Sequence, residues 1–216
     1  MNGLDYWFLD WINGWSNSWN PFLKFFSVAL NISYIKIALG IYLIGLLVAN
    51  VRSRTAGILT LIAVGIGNTI TNIAKSNFPV HRPFQDFPFI PVDDKGQLGA
   101  LKSDHVTTVL SKIPEHVYLR VGWADSMGTA SAHSANMAAV AFVMTYYFKW
   151  WGSPWILVAF LTGISRIYTG AHYPSQVLWG WMVGCFAAFV VIKTWEAFQR
   201  RRSGVQLDGD EPPELA

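Results

Sequence analysis

Charged residues are scarce in this chain, and their scarcity argues against an ordinary soluble domain. Asp, Glu, Lys and Arg make up 13% of the 216 residues, whereas a soluble domain carries roughly a quarter. Hydrophobic residues make up 52%, and the chain has 11 tryptophans and 14 phenylalanines. Aromatic side chains of this kind collect at the boundary between water and lipid. The composition therefore predicts an integral membrane protein.

Other shortages narrow the interpretation further. The single cysteine, Cys185, excludes an intramolecular disulfide. The net charge of +3 is small and the basic residues lie in separate segments, so no nucleic-acid partner is expected. The sequence has no closely spaced Cys or Asp/Glu set, so neither a metal nor another cofactor is expected. The first residues lack the basic region of a secretory signal, and membrane insertion is expected to depend on internal apolar segments.

Long apolar runs predict an all-α fold, a polytopic membrane helix bundle. About 20 apolar residues cross a bilayer, and five runs come near this length: 33–51, 55–75, 132–150, 154–170 and 174–195. Six spans result if residues 7–30 also cross. The bundle forms one domain, residues 1–202, and the polar, Pro-containing segment 203–216 is predicted to be a disordered tail.

The N-terminal segment 4–15 has the pattern of an amphipathic helix. Its apolar residues recur at three- and four-residue spacing and share one helical face: Leu4, Trp7, Phe8, Trp11, Ile12 and Trp15. Because the segment is too short to span a bilayer, we expect it to lie in the membrane interface. The alternative is an amphipathic helix of the soluble type that packs against the domain.

Basic residues between the apolar runs predict the orientation. They occur at three junctions: Arg52 and Arg54, Lys149, and Arg200 to Arg202. Alternation of the spans puts all three junctions on one side, and the positive-inside rule makes that side the cytoplasm. The other side of the plasma membrane then holds the long loop 76–131. Loops of this length are usually functional.

Ionisable residues meet the ends of the apolar runs at three places. Segment KSNFPVHRP contains Lys75, His81 and Arg82, segment TASAHSAN contains Ser131 and His133, and segment SRIYTGAHYPSQ contains Ser165, Arg166, His172 and Gln176. The topology is derived from other residues, yet it brings all three segments to the external face. This agreement predicts a functional site there.

The residue types at these places suit phosphate chemistry. Three cations, Lys75, Arg82 and Arg166, match the charge and the oxygen geometry of a phosphate. The helix that begins near Ser131 offers free N–H groups to an anion. Two histidines can divide hydrolysis, one attacking phosphorus and the other protonating the leaving oxygen. Taken singly, each residue has an ordinary alternative: a cation at a membrane interface or a helix N-cap.

Taken together, the three segments resemble the type 2 phosphatidic acid phosphatase superfamily. That family shows Lys, six residues and Arg-Pro; then Pro-Ser-Gly-His; then Ser-Arg, five residues, His, three residues and Asp. Lys75 and Arg82-Pro83 match the first motif in full, residues 130–133 match the second at Ser131 and His133, and the third is matched by Ser165-Arg166 and His172. The resemblance covers residues from about 55 to 195.

The resemblance implies a metal-independent lipid phosphatase with an active site outside the membrane. His172 would form a phosphohistidine and His133 would protonate the leaving lipid oxygen, while the phosphate would be held by Lys75, Arg82, Ser131, Ala132 and Arg166. Ala132 replaces the family's glycine but keeps its N–H group. The bacterial subgroup that handles undecaprenyl pyrophosphate is the most similar, and lipid A and phosphatidylglycerophosphate phosphatases share the pattern.

Gln176 departs from the family pattern, which has Asp at this position. In the family the carboxylate orients the nucleophilic histidine and stabilises its imidazolium. A glutamine oxygen accepts the same hydrogen bond but carries no charge. The alternatives at this position are therefore an active phosphatase with a different orienting group, a slow enzyme and a non-catalytic lipid-binding homologue. A separate rival is a lipid phosphotransferase on the same scaffold, which would pass the phosphate to an acceptor hydroxyl instead of water.

Overall fold

The computed structural model describes residues 3–103 and 114–209, with side chains described as far as residue 202. Most of this part is helical. Its helices are α1 Gly3–Asn13, α2 Asn20–Val28, α3 Ser33–Ala49, α4 Val51–Asn77, α5 Pro83–Asp86, α6 Ala132–Phe148, α7 Pro154–Tyr168 and α8 Pro174–Gly209. Helix α8 continues to Gly209, into the segment 203–216 that was predicted to be a disordered tail. Residues 210–216 lie outside the described residues, and disorder there stays a prediction.

The all-α prediction is wrong for the segment 76–131, which also contains two short strands. Strand β1, Phe89–Pro91, pairs in parallel with β2, Val117–Leu119. In β2 the outer residues Val117 and Leu119 are buried and Tyr118 between them is half-buried. This alternation is the side-chain period of a strand. The pairing satisfies backbone groups that a long loop over the bundle would otherwise leave without partners.

Helices α3, α4, α6, α7 and α8 occupy the five predicted segments, but they differ in length. Two are long and apolar enough to cross a membrane, Val51–Asn77 and Pro174–Arg202. The stretches Asn17–Asn31 and Ser33–Ala49 qualify as a third span only together, and they are bent by 66°. Helices α6 and α7 have 17 and 15 residues. Length and hydropathy alone thus support two or three spans in the described part, fewer than the five predicted.

The basic junctions meet at one end of the bundle. Asn50 alone connects α3 to α4, so Arg52 lies in the first turn of α4 and not in a loop. Arg52 donates to the carbonyl of Tyr147, close to Lys149 at the end of α6. The hydroxyl of Tyr146 contacts Glu196 of α8. The predicted cationic end therefore exists, and the ends of α4, α6 and α7 that carry the candidate site lie opposite to it.

Two glycines allow α6 and α8 to pack closely beside the site. A Cβ atom on Gly180 would lie 2.5 Å from the carbonyl oxygen of Ser131, and one on Gly184 would lie 2.1 Å from that of Ala135. Small residues four apart let two membrane helices approach in this way. The Ser131 N–H also donates to the Gln176 carbonyl at 2.9 Å. The start of α6 is thereby held against the first turn of α8.

Helix α1 turns its aromatic face away from the domain. The exposed large hydrophobic residues of α1 are Leu4, Trp7, Phe8 and Trp11. The buried face of α1 is mixed: Asp5 and Asn13 are buried beside the core residues Leu9 and Ile12. The helix therefore packs against the domain with one face and exposes aromatic side chains on the other. The prediction placed Ile12 and Trp15 on the aromatic face, but Ile12 is buried and Trp15 packs partly against the same core. The helix ends at Asn13, so helical periodicity no longer applies to Trp15.

Arg120 connects this N-terminal segment to the rest of the fold. Its side chain is 1% exposed. Its guanidinium donates five hydrogen bonds: one each to the carbonyl oxygens of Asn13, Trp15 and Tyr168, and two to the side-chain oxygen of Asn17. The guanidinium carbon also lies 4.0 Å from the centroid of the Tyr168 ring. Backbone dipoles and an aromatic face thus stabilise this cation after its removal from water.

Replacing Arg120 with methionine is expected to lower the free energy of unfolding by about 2–5 kcal/mol, because several buried acceptors lose their donor. The measurement is the unfolding temperature in detergent. Arg201→Met serves as the control, since Arg201 is exposed on α8. Equal unfolding temperatures for the two variants would show that Arg120 does not hold the N-terminal segment.

Candidate active site

Arg82 is placed by the proline that follows it. A residue before proline favours the extended region, and Arg82 has φ −91° and ψ 161° at the start of α5. Its buried guanidinium donates from Nε to the Ser126 carbonyl at 2.7 Å and from Nη2 to the Ser126 hydroxyl at 2.8 Å. Nη1 lies 3.5 Å from Nε2 of His172. The Arg-Pro pair therefore aims a fixed cation at the candidate nucleophile.

Arg166 lies in the last turn of α7 and is 8% exposed. Its Nη1 donates to the Ser27 hydroxyl at 2.7 Å and to the Ser27 carbonyl at 3.2 Å, so α2 holds one edge of the guanidinium. Within the described residues the buried Nε has no hydrogen-bond partner. A buried donor without a partner is rare in proteins, and a bound anion would satisfy it.

A tight turn links Arg166 to His172. The N–H groups of Ala171 and His172 both donate to the Arg166 carbonyl at 3.1 Å. Gly170 has φ +72°, and a Cβ there would lie 2.6 Å from the Tyr118 carbonyl oxygen. Only glycine suits this position. The number of residues between Arg166 and His172 therefore corresponds to the last turn of α7 followed by one compact turn.

Gln176 determines which nitrogen of His172 carries the proton. Its Oε1 accepts from the Tyr173 N–H at 3.2 Å, and its Nε2 donates to the His81 carbonyl at 2.7 Å. Because these backbone partners are an obligate donor and an obligate acceptor, the amide orientation follows from the network. Oε1 lies 3.0 Å from Nδ1 of His172, so Nδ1 must donate. The Nε2 of the neutral ring is then unprotonated and faces Arg82.

Three cations act electrostatically on both candidate histidines. Burial lowers the pKa of His172 well below its usual range, and the positive charges of Arg166, Arg82 and Lys75 lower it further. The same three cations also act electrostatically on His133. The structure thus brings together the cations and imidazoles that the sequence placed in three separate segments. A neutral imidazole inside a cluster of positive charge is suited to attack an anionic phosphate.

The start of α6 provides backbone donors to the same pocket. Ser131 is its N-cap: the side-chain oxygen accepts from the Ser134 N–H at 3.3 Å and from the Ser134 hydroxyl at 2.9 Å. The ordinary capping role is therefore present. The next two N–H groups, those of Ala132 and His133, are first-turn donors that a helix does not use itself. They fit the predicted anion contact at Ala132.

The family model described as the PAP2 superfamily matches residues 56–200, more than half of the chain. This chain belongs to the PAP2 superfamily. The predicted resemblance is confirmed, and the matched range of the PAP2 model contains every predicted site residue. Helices α1, α2 and α3 lie outside it, so Ser27 supports Arg166 from a part of the chain that the PAP2 model does not match.

Two solved structures share the fold of this chain. Aquifex aeolicus LpxE matches with a TM-score of 0.62 and 20% identity over 89% of this chain and 96% of that chain. A transmembrane PAP2-type phosphatidylglycerolphosphate phosphatase from Bacillus subtilis matches with a TM-score of 0.60 and 17% identity over 91% and 88%. The present protein therefore has the PAP2 membrane fold.

One curated relative matches over a shorter stretch. The bacitracin transport permease protein BcrC of Bacillus licheniformis is 36% identical over 64 residues, which are 30% of this PAP2 chain and 32% of BcrC. The chain thus spans about a third of the length of this relative.

The sequence prediction missed the polar residues that hold the PAP2 site residues in place. These are Ser27, Asp86, Ser126 and Tyr173. None carries a motif of its own, and Ser27 and Ser126 are far from their arginines along the chain. The only available signal was Asp86, an acidic residue four positions after the Arg82 motif residue.

Proposed function

We propose that this protein is a membrane lipid phosphatase that hydrolyses a lipid phosphomonoester or pyrophosphate through a phosphohistidine, without a metal. The proposal depends mainly on one observation. Nδ1 of His172 lies 3.0 Å from the amide oxygen of Gln176, and Nε2 faces Arg82 at 3.5 Å. An unprotonated ring nitrogen beside a phosphate-binding cation is the arrangement that a nucleophilic histidine requires.

The bound phosphate would take the place that the cations leave open. Arg82 and Arg166 would donate to its oxygens, and Lys75 would add a third positive charge. The first-turn N–H groups of α6, including that of Ala132, would complete the contacts. These donors would also stabilise the additional negative charge that develops in the transition state.

The reaction would proceed in two steps at phosphorus. The negative charge of the bound phosphate would favour the imidazolium form of His133. The Nε2 lone pair of His172 then forms an N–P bond while the bond from phosphorus to the leaving oxygen breaks, and the His133 imidazolium gives that oxygen a proton. A water molecule then attacks the phosphohistidine, His133 takes a proton from the water, and the N–P bond breaks to release inorganic phosphate. His133 thereby returns to its starting state.

Gln176 favours this phosphatase over a non-catalytic homologue. Its oxygen orients His172 as a carboxylate would, and its amide group also bonds the His81 carbonyl. Gln176 is the third residue of α8, and its bond to the Tyr173 N–H matches the reciprocal half of a capping box. A glutamine in this position therefore retains the orienting contact, although it gives up the charge.

We place the site at the outer face of the plasma membrane. The basic junctions near Lys149 lie at the opposite end of the bundle, and the positive-inside rule assigns that end to the cytoplasm. In this arrangement all five long helices cross, with α6 and α7 as short spans, and the aromatic face of α1 rests in the outer interface.

The direct test is release of phosphate by the purified protein in detergent, with a chelator present. The panel contains undecaprenyl pyrophosphate, phosphatidylglycerophosphate, phosphatidate and lipid A. We expect turnover of at least one lipid. Transfer of labelled phosphate to an acceptor hydroxyl would instead indicate a phosphotransferase, and headgroup binding without turnover would indicate the non-catalytic homologue.

Replacing Gln176 with aspartate is expected to move the acid limb of the kcat/KM profile to higher pH. In the parent the pKa of His172 is lowered, so the neutral nucleophile survives below the usual histidine range and is lost only as pH falls further. A carboxylate at position 176 favours the imidazolium and raises that pKa. Activity should therefore start to fall at a higher pH in the variant.

The control for this pH experiment is Gln176→Asn, which shortens the side chain without adding charge. The parent and both variants are assayed on the same lipid, so the titration of the substrate is common to all three. An acid limb that stays at the same pH in Gln176→Asp would contradict the assignment of that limb to His172.

A further inference from the structure

A buried carboxylate, that of Asp86, is connected to His172 through hydrogen bonds of His81, Tyr173 and Gln176. Asp86 is the last residue of α5 and is 4% exposed. Its Oδ1 lies 2.9 Å from Nδ1 of His81, and its Oδ2 accepts from the Tyr173 hydroxyl at 2.8 Å. Asp86, His81 and Tyr173 have no part in the reaction steps proposed above.

The backbones of the same two residues hold Gln176. The Tyr173 N–H donates to Oε1 of Gln176, and the His81 carbonyl accepts from Nε2. Gln176, His81, Asp86 and Tyr173 therefore form a closed ring of hydrogen bonds. We call this ring the amide clamp. Its only contact with His172 among these bonds is the one from Nδ1 to Oε1 of Gln176.

We infer that Asp86 is a positioning residue for His172, acting through the amide clamp. Its two oxygens hold the side chains of His81 and Tyr173, and the backbones of these residues fix the orientation of the Gln176 amide. The catalytic consequence of this inference rests on the function proposed above.

The clamp is needed because a glutamine amide has two different ends. If the amide turned over, its NH₂ group would face Nδ1 of His172, and Nδ1 would have to accept a hydrogen bond. The ring proton would then move to Nε2 and the nucleophilic lone pair would be lost. An aspartate has two acceptor oxygens and needs no such control. Gln176 therefore creates a requirement that Asp86 meets.

The first experiment replaces Asp86 with alanine and records the ¹⁵N NMR signals of His172 in histidine-labelled protein in detergent. We expect the Nδ1–H form of the parent to give way to a mixture with Nε2–H. Asp94→Ala is the matched control, because Asp94 is exposed and pairs with Lys24 on the surface. An unchanged His172 tautomer in Asp86→Ala would overturn the inference.

Steady-state kinetics provide a second measurement on the Asp86→Ala variant. We expect kcat to fall roughly 10–100-fold, as when a partner that orients a metal ligand is removed. KM should change much less, because Arg82, Arg166 and Lys75 remain in place to hold the phosphate. A change confined to KM would count against a positioning role.

The second experiment combines Asp86→Ala with Gln176→Asp. Since a carboxylate at position 176 presents an acceptor in either orientation, loss of Asp86 should cost at most about threefold in this background, a strong departure from additivity. A merely structural role for Asp86 predicts the same fractional loss in both backgrounds, and that result would overturn the inference.

If Asp86→Ala does not fold, Tyr173→Phe takes its place, since it removes one bond of the clamp and keeps the ring. The same shift in tautomer is expected, and its absence is again decisive. The NMR reading needs no turnover. It therefore separates failure of the inference from failure of the proposed function, which the phosphate-release panel tests independently.

Discussion

Replacing His172 with alanine is expected to abolish phosphate release, lowering kcat by about 10⁴-fold or more, as for other covalent nucleophiles. The Nε2 atom is the only ring nitrogen of His172 left unprotonated by the bond to Gln176. Water bound among the cations would have to attack phosphorus without the covalent intermediate. The measurement is release of phosphate from the lipid that the panel identifies.

The matched control for this variant is His116→Ala. His116 packs edge-on against Tyr118 at 5.0 Å between ring centroids, next to α1 and not among the site cations. Its replacement should leave kcat near the parent value. Rapid quenching with ³²P-labelled substrate should trap acid-labile, alkali-stable label on the parent and on His116→Ala. Label of that kind on His172→Ala would assign the nucleophile to another residue.

Replacing Arg166 with alanine is expected to lower kcat/KM by about 10²–10³-fold, the cost of one charge-stabilising donor in other enzymes. Arg166 is buried, and its Nε is a buried donor without a hydrogen-bond partner in the described residues. Loss of the guanidinium removes both a fixed positive charge and this donor. Inhibition by vanadate, which mimics pentavalent phosphorus, should weaken in the same variant.

Arg54→Ala is the control for this charge removal. Arg54 lies in the first turn of α4, and its Nε donates to the Leu47 carbonyl at the cationic end of the bundle. Arg54→Ala removes one positive charge, as Arg166→Ala does, but far from the candidate site. Equal effects of the two replacements on vanadate inhibition would show that Arg166 does not bind the phosphate.

The membrane class and the main helices follow from the sequence because they depend on local composition. Apolar runs near 55–75 and 174–195 are long enough to cross a bilayer, and helices occupy both. The paired strands in 76–131 could not be foreseen, since β1 and β2 have three residues each. Elements this short obtain their hydrogen bonds from distant parts of the chain, and local periodicity does not show such pairing.

The candidate site likewise contains residues that the sequence predicted and supporting residues that only the structure shows. Lys75, Arg82, His133, Arg166 and His172 were identified from spacing, because motif spacing reflects helix ends and tight turns, such as the one at Gly170. The residues that hold them were not. Ser27 reaches Arg166 across 139 positions of the chain, and no pattern in the sequence connects the two.

At Gln176 the sequence determines the residue type, and the tertiary structure determines how its side chain is oriented. The sequence by itself determined that an amide stands where the family has a carboxylate, and it left active, slow and inactive proteins open. Only the tertiary structure decided which end of that amide faces His172, through bonds to His81 and Tyr173. The reason is physical: the composition of an amide is local, whereas its orientation depends on the donors and acceptors that folding brings around it.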